Sequence, residues 1–277
     1  MTSARAVAAV RRIADAAKAG HAGTLDPMAT GVLPVALGEA TKTVSFLQDG
    51  TKAYAFTVRW GESRDTGDAD GVPLASSPVR PTAAAIRAAC AGFVGDTWQV
   101  PPAYSALKVG GRRAYDLARA GAAPVMAARP VHIDRLELAD LPDRDTAAFV
   151  VECGRGTYVR AICDDLAAAL GTLGHVTALR RTRVGRMTET QAISLERLAD
   201  LVHSGPAEAY LHPVETALAD IPALPLTGSE AERLRSGQAI RVADAGRGAV
   251  CATAGGHPIA VALVADGELR PLRVFNF

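Results

Sequence analysis

The sequence predicts an α+β fold: a large mixed or antiparallel sheet with helices packed on it, followed by a small β-rich C-terminal module. Three observations carry this. Runs that alternate apolar and polar residues, such as AYAFTVRW at 53–60 and AAFVVECG at 147–154, interleave with runs of helical period such as TYVRAICDDLAAALG at 157–171. Their order lacks the strict strand–helix–strand rhythm of a parallel sheet. Beyond Pro222 the texture changes to short strands and glycine turns.

Taken in order, the first element reads as a helix, with Ser3 as N-cap, Val7, Val10, Ala14 and Ala17 at helical spacing, and Gly20 as its stop. The glycines and prolines of GHAGTLDPMATGVLPVALGEATK (20–42) exclude a long regular element, and VLPVALG suggests a short buried piece. AYAFTVRW is a strand, RDTGDADG (64–71) an acidic turn, and PTAAAIRAACAGFVG a helix capped by Thr82. VPPAYSALKVGGRRAYDLARAG (100–121) is a proline-started loop followed by a short basic helix. PVHIDRLEL and AAFVVECG are strands, and in TYVRAICDDLAAALG the residues Val159, Ile162, Cys163, Leu166 and Leu170 share one helical face. TALRRTRVG is a strand and SLERLADLV a helix. A proline-rich linker and a short helix (221–238) lead to AIRV, GAVCATA, PIAVALV and ELRPLRVF, joined by Gly255-Gly256 and Asp266-Gly267 hairpin signals. Two domains are expected, 1–215 and 222–277.

Composition bounds the function. Hydrophobic residues make up 49% and charged residues 21% of the 277, an ordinary globular balance. The formal net charge of +1 does not mark a polyanionic partner, so a nucleic-acid site must come from local clustering. Cys90, Cys153, Cys163 and Cys251 are scattered, with no zinc spacing, and read as reduced buried thiols. No apolar run is long enough to span a membrane, and the N-terminal residues lack a signal-peptide core. A cytoplasmic protein without a metal site is expected.

The chemistry centres on Asp26. It precedes Pro27, which biases its backbone toward an extended conformation, and Gly20, Gly23 and Gly31 let the chain turn around it. An Asp-Pro pair is most often only a turn, but among apolar neighbours an unpaired carboxylate is costly and calls for a cation. Arg160, next to Tyr158, is a candidate. Its helix carries its apolar face at Val159, Ile162 and Leu166, so Arg160 points elsewhere, where an arginine is ordinarily a solvated charge. Basic groups cluster at Arg180, Arg181, Arg183 and Arg186, at Lys108, Arg112 and Arg113, and at Arg11, Arg12 and Lys18. They fit a groove that tracks phosphates.

GHAGTLDPMATGVLPVALGEATK resembles the signature of the TruB family, the bacterial tRNA uridine-55 pseudouridine synthases. The similarity extends through KAYAFTVRWG, RDTGDADG, VPPAYSALKVGGRRAY, GTYVRAICDDLAAALG and GHVTALRRTRVG, and covers most of residues 3 to 200. The resemblance implies that Asp26 is the nucleophile, that Arg160 pairs with it, and that Tyr54 stacks on the target uracil and takes part in proton transfer. It implies that Tyr158 lines the pocket, Leu179 packs under the base, His21 helps extrude it and Asp68 lies near the site. Lys108, Arg113 and Arg181 are then candidates for phosphate contacts. The substrate implied is the T-arm of tRNA, bound by a monomer that needs no cofactor, membrane or protein partner. The C-terminal module resembles a PUA-like RNA-binding domain. The family pattern places a strand with a Lys-Pro-x-Gly segment ahead of the Met-Thr-Ser found here, so an unpaired sheet edge beside the catalytic loop is expected. A non-catalytic RNA-binding or tRNA-folding protein on the same scaffold is the alternative; a guide-RNA-dependent relative and a nucleoside hydrolase fit less well.

Overall fold

A computed structural model describes residues 1–242 and 246–277. Contacts divide the chain into two compact units. One comprises Met1–Ser3, Thr24–Leu33 and Asp49–Ala192, the other Ala4–Gly23, Pro34–Gln48 and Ile193–Phe277.

The first unit is built on five long strands: β1 (Lys52–Trp60), β2 (Gly95–Gln99), β3 (Arg129–Asp140), β4 (Thr146–Cys153) and β5 (Gly174–Val184). They pair antiparallel in the order β5-β1-β4-β3-β2. Met187–Thr188 and Thr30–Gly31 both add to β5, the latter in parallel, which makes seven strands. The alternation read in the sequence decides the buried face: Ala147, Phe149, Val151 and Cys153 of β4 lie beside Phe56, Val58 and Trp60 of β1. Phe56 and Phe149 are direct cross-strand partners whose rings stack at 5.1 Å. Helices Ala83–Ala91, capped by the Thr82 side chain, and Val159–Ala169 cover this face through Ile86, Cys90, Ile162, Cys163 and Leu166.

The second unit holds a five-stranded sheet of β6 (Ala223–Pro225), β7 (Ile240–Arg241), β8 (Gly248–Ala254), β9 (His257–Ala265) and β10 (Glu268–Val274), in the order β6-β8-β9-β10-β7. Asp266 and Gly267 have φ of 53° and 76°, the left-handed values that a two-residue hairpin turn requires. The helix Gly228–Arg235 starts with a capping box between Thr227 and Glu230 and buries Ala231 and Leu234 in the sheet's core. The fold is therefore α+β with a small β-rich C-terminal module, as the sequence predicts.

The first helix departs from expectation. It spans Ser3–Ile13 and stops well before Gly20. Asp15 adopts a left-handed φ of 44°, a conformation aspartate tolerates, and the Ala16 N–H closes the helix on the Arg11 carbonyl. Ala19–His21 then forms a short strand paired with Val35–Leu37. Tertiary pairing overrides the helical propensity of the alanines.

Candidate active site

Asp26 lies on the loop between the strand residues Ala19–His21 and Thr30–Gly31. With Pro27 fixing the backbone after it, the chain turns at once, and the Asp26 carbonyl accepts the Ala29 N–H at 2.9 Å. The carboxylate faces Arg160 in a bidentate fork: Nε donates to Oδ2 and Nη2 to Oδ1, each at 2.9 Å. Arg160 is only 3% exposed, whereas Asp26 retains 28% of its side-chain surface. One end of the pair is thus locked in protein and the other is open. Arg160 thus pairs with Asp26 as expected, although an arginine off the apolar stripe of its helix is ordinarily a solvated charge. Val159 through Cys163 are consecutively buried at the N-terminal end of their helix, which is covered on more than its apolar stripe.

Arg160 is held by two further loops. Nη1 donates to the Thr66 carbonyl at 2.7 Å, and Nη2 also donates to the Tyr104 carbonyl at 2.9 Å. Four of its five N–H groups are thereby engaged, leaving the guanidinium little freedom to rotate. Asp68 stands 3.8 Å from Nε and is itself fixed by the Thr66 hydroxyl at 2.6 Å and the Asp70 N–H at 3.1 Å. The Asp68 loop is stitched to β5 by the Ala69 N–H to Val176 carbonyl and Val176 N–H to Gly67 carbonyl bonds.

Two tyrosines share this field. Burial raises the Tyr54 phenol above its ordinary pKa, with the Asp26 charge adding to the rise and Arg181 opposing it. Burial likewise raises Tyr158, where Asp26 again adds to the rise and the Ser105 hydroxyl and Arg160 oppose it. The Tyr158 backbone is pinned from β2: its N–H donates to Gln99 Oε1 at 2.7 Å, and its carbonyl accepts from Gln99 Nε2 at 3.1 Å. Leu179 lies on β5 directly opposite Phe56 and is buried in the sheet's core, with Tyr54 against the same cluster.

Asp26, Arg160, Tyr54, Tyr158, Leu179 and Asp68 are thus brought into one neighbourhood. His21 lies in the second unit, half-buried on the strand that pairs with Val35–Leu37. Lys108 and Arg113 are cross-strand partners in an exposed hairpin. Arg181 contradicts its expected place on a phosphate surface. It is 1% exposed, and its Nε donates to the Val32 carbonyl at 2.8 Å. The run Arg180-Arg181 lies in a strand, so successive side chains alternate faces, and Arg181 takes the inward one. Sequence reasoning missed Thr66, Gln99 and Tyr104. Thr66 and Tyr104 act through backbone carbonyls, which leave no side-chain signal, whereas a buried Gln99 at the end of a strand was a legible one.

A family described as TruB family pseudouridylate synthase (N terminal domain) matches residues 11–159, and one described as tRNA pseudouridylate synthase B C-terminal domain matches residues 160–219. A tRNA pseudouridine synthase B of Bradyrhizobium diazoefficiens is 54% identical over 286 residues, covering 100% of this chain and 83% of that protein. Its counterpart in Gluconacetobacter diazotrophicus is 51% identical, covering 99% of this chain and 93% of that protein. Among solved structures, a Cbf5–Nop10–Gar1 complex contains a chain that superposes with a TM-score of 0.77 at 25% identity, covering 100% of this chain and 82% of that one. The Cbf5 fold is thus shared, and at the identities above the chain belongs to the TruB family of pseudouridylate synthases.

Proposed function

We propose that this protein isomerises a uridine in the T-loop of tRNA, at position 55, to pseudouridine, with Asp26 as the nucleophile. The observation that carries the reading is the half-open ion pair. Arg160 orients the carboxylate through two 2.9 Å bonds, while 28% of the Asp26 side chain remains accessible to a reactant.

In the reaction the bond from C1′ to N1 of the uracil breaks and a bond from C1′ to C5 forms. The C5 proton passes to water and N1 takes up a proton, so the product is an isomer of the substrate. The steps need a group that can bond covalently and depart again, which a carboxylate can do. They also need the base outside the RNA stack, against an aromatic face and an apolar floor. Tyr54 and Leu179 supply these, Tyr158 lines the pocket beside Arg160, and His21 assists extrusion of the base. Asp68 steadies Arg160 from its second side. Lys108 and Arg113 offer exposed cations to RNA phosphates, on the same segment whose Tyr104 carbonyl holds Arg160. Residues 1–215 form the catalytic portion and 222–277 a PUA-like RNA-binding module, acting as a cytoplasmic monomer without a guide RNA.

The test is tritium release from a tRNA transcript labelled at uracil C5. The unaltered chain should release tritium from one site per tRNA. Asp26→Asn should release none while binding the transcript with nearly unchanged affinity, because affinity comes mainly from phosphate contacts. Sustained release by purified Asp26→Asn would refute the nucleophile assignment.

A further inference from the structure

We propose that Ser3 and Arg181 are positioning residues that clamp the two ends of the Asp26 loop and so set where the carboxylate stands. The inference rests on the reading of Asp26 as the reacting group. Upstream, the Ser3 hydroxyl accepts the Leu25 N–H at 2.9 Å and lies 3.4 Å from the Leu25 carbonyl oxygen, to which it donates. Leu25 is the residue immediately before Asp26, and Ser3 is 5% exposed. A hydroxyl that both accepts from the N–H and donates to the carbonyl of one residue restrains the peptide groups on either side of it. Ser3 begins its helix, yet its side chain serves a loop 22 residues away.

Downstream, Arg181 grips Val32 twice. Its Nε donates to the Val32 carbonyl and its own carbonyl accepts the Val32 N–H, both at 2.8 Å. Gly31 makes this approach possible. A Cβ there would overlap the Arg181 carbonyl oxygen, and the φ of +96° is one that side-chain-bearing residues rarely adopt. Arg181 is also the direct cross-strand partner of Tyr54, so one buried cation borders both the loop's end and the aromatic face of the pocket. Between the clamps the Asp26 turn spans only a few residues, and slack at either end would move the carboxylate against the fixed Arg160 fork.

The experiment uses the full chain and four variants: Ser3→Ala, Ser3→Thr, Arg181→Lys and Asp26→Asn. The readings are the single-turnover rate of tritium release, the Kd for tRNA as a function of salt, and the thermal midpoint. Ser3→Ala should slow the single-turnover rate by about tenfold to a hundredfold, the scale of a displacement near 1 Å, with little change in Kd. Ser3→Thr, which keeps the hydroxyl, should recover most of the rate. Arg181→Lys should slow the rate without altering the slope of affinity against salt, since a buried side chain meets no phosphate. If Arg181→Lys fails to fold, the Ser3 pair decides alone. An unchanged rate in Ser3→Ala, a loss that Ser3→Thr does not restore, or a proportional loss of rate and affinity would each overturn the clamp. Activity in Asp26→Asn would instead overturn the underlying reading, so the two failures are distinguishable.

Discussion

Replacing Arg160 tests how much of the site rests on one side chain. Arg160→Ala removes both bonds to Asp26 and strips donors from the Thr66 and Tyr104 carbonyls. Breaking a buried ion pair from one side costs about 3 to 5 kcal/mol, because the remaining charge is left without compensation. Asp26 keeps 28% of its side-chain exposure, so water recovers part of that loss, which places the expected destabilisation near the low end, about 3 kcal/mol. Against a total stability of roughly 5 to 15 kcal/mol the protein should still fold. The rate should suffer more than the fold, on the order of a thousandfold, since both the counter-charge and the orientation it gives the carboxylate are lost. Arg160→Lys is the sharper variant. Its ammonium restores the charge but is a point donor that cannot span both Asp26 oxygens and reach two carbonyls at once. It should retain more stability than Arg160→Ala and remain about tenfold to a hundredfold below the unaltered rate. Urea unfolding gives the first quantity and single-turnover tritium release the second. If Arg160→Lys matches the unaltered chain in both, the fork geometry is irrelevant and the reasoning fails.

Other substitutions separate affinity from architecture. Lys108→Ala and Arg113→Ala, at exposed hairpin positions, should each lower the slope of log affinity against log salt by about one; unchanged slopes would remove the hairpin from the RNA contact. Gly31→Ala should destabilise the protein strongly in urea unfolding, since both the backbone conformation and the Arg181 carbonyl oppose a Cβ; a normal midpoint would show that the parallel pairing to β5 is dispensable. Alkaline pH should weaken the fold. Burial pushes the Cys90 and Cys153 thiols up to about 11 from an ordinary 9.0, and raises Cys163, Tyr54 and Tyr158 as well. These groups deprotonate more easily in the unfolded chain, so stability is intact below the ordinary thiol range and falls as pH rises through it. Urea midpoints at pH 7.5, 9 and 10.5 should decline in that order, and a flat profile would contradict the burial of the thiols.

Much of the fold was legible because its signals are local. The alternation in AYAFTVRW and AAFVVECG decides which face of β1 and β4 is buried, and Thr82 and the Asp266-Gly267 pair act through neighbours a few residues away. The misreadings share one cause. From their own segments Ser3 reads as a cap and Arg181 as a phosphate ligand, and the depth at which Arg160 is buried is not visible in its own helix. Their environments are made by partners 22, 134 and 149 residues distant. Periodicity describes a residue relative to its own element, and a residue buried by a different element leaves no mark in that pattern. Asp26 was legible because its need for a cation could be argued from one short run. The convergence of three loops on that cation could not, since Thr66 and Tyr104 reach it through carbonyl oxygens.

That convergence bears on why the Asp26 carboxylate sits on a loop. A strand would hold Asp26 rigidly but would place its carboxylate within the pleat, where the adjoining strands crowd the approach of a nucleotide. A loop leaves one side open but leaves its own backbone undefined. Here the rigidity is borrowed. Arg160 is anchored at the start of a buried helix and satisfied by two further loops, and the Asp68 loop beside it is bonded into β5. The counter-ion is therefore the fixed reference, and the carboxylate is registered against it with its remaining surface free. An aspartate so held is ordered in advance of substrate, and binding need not supply the free energy to orient it.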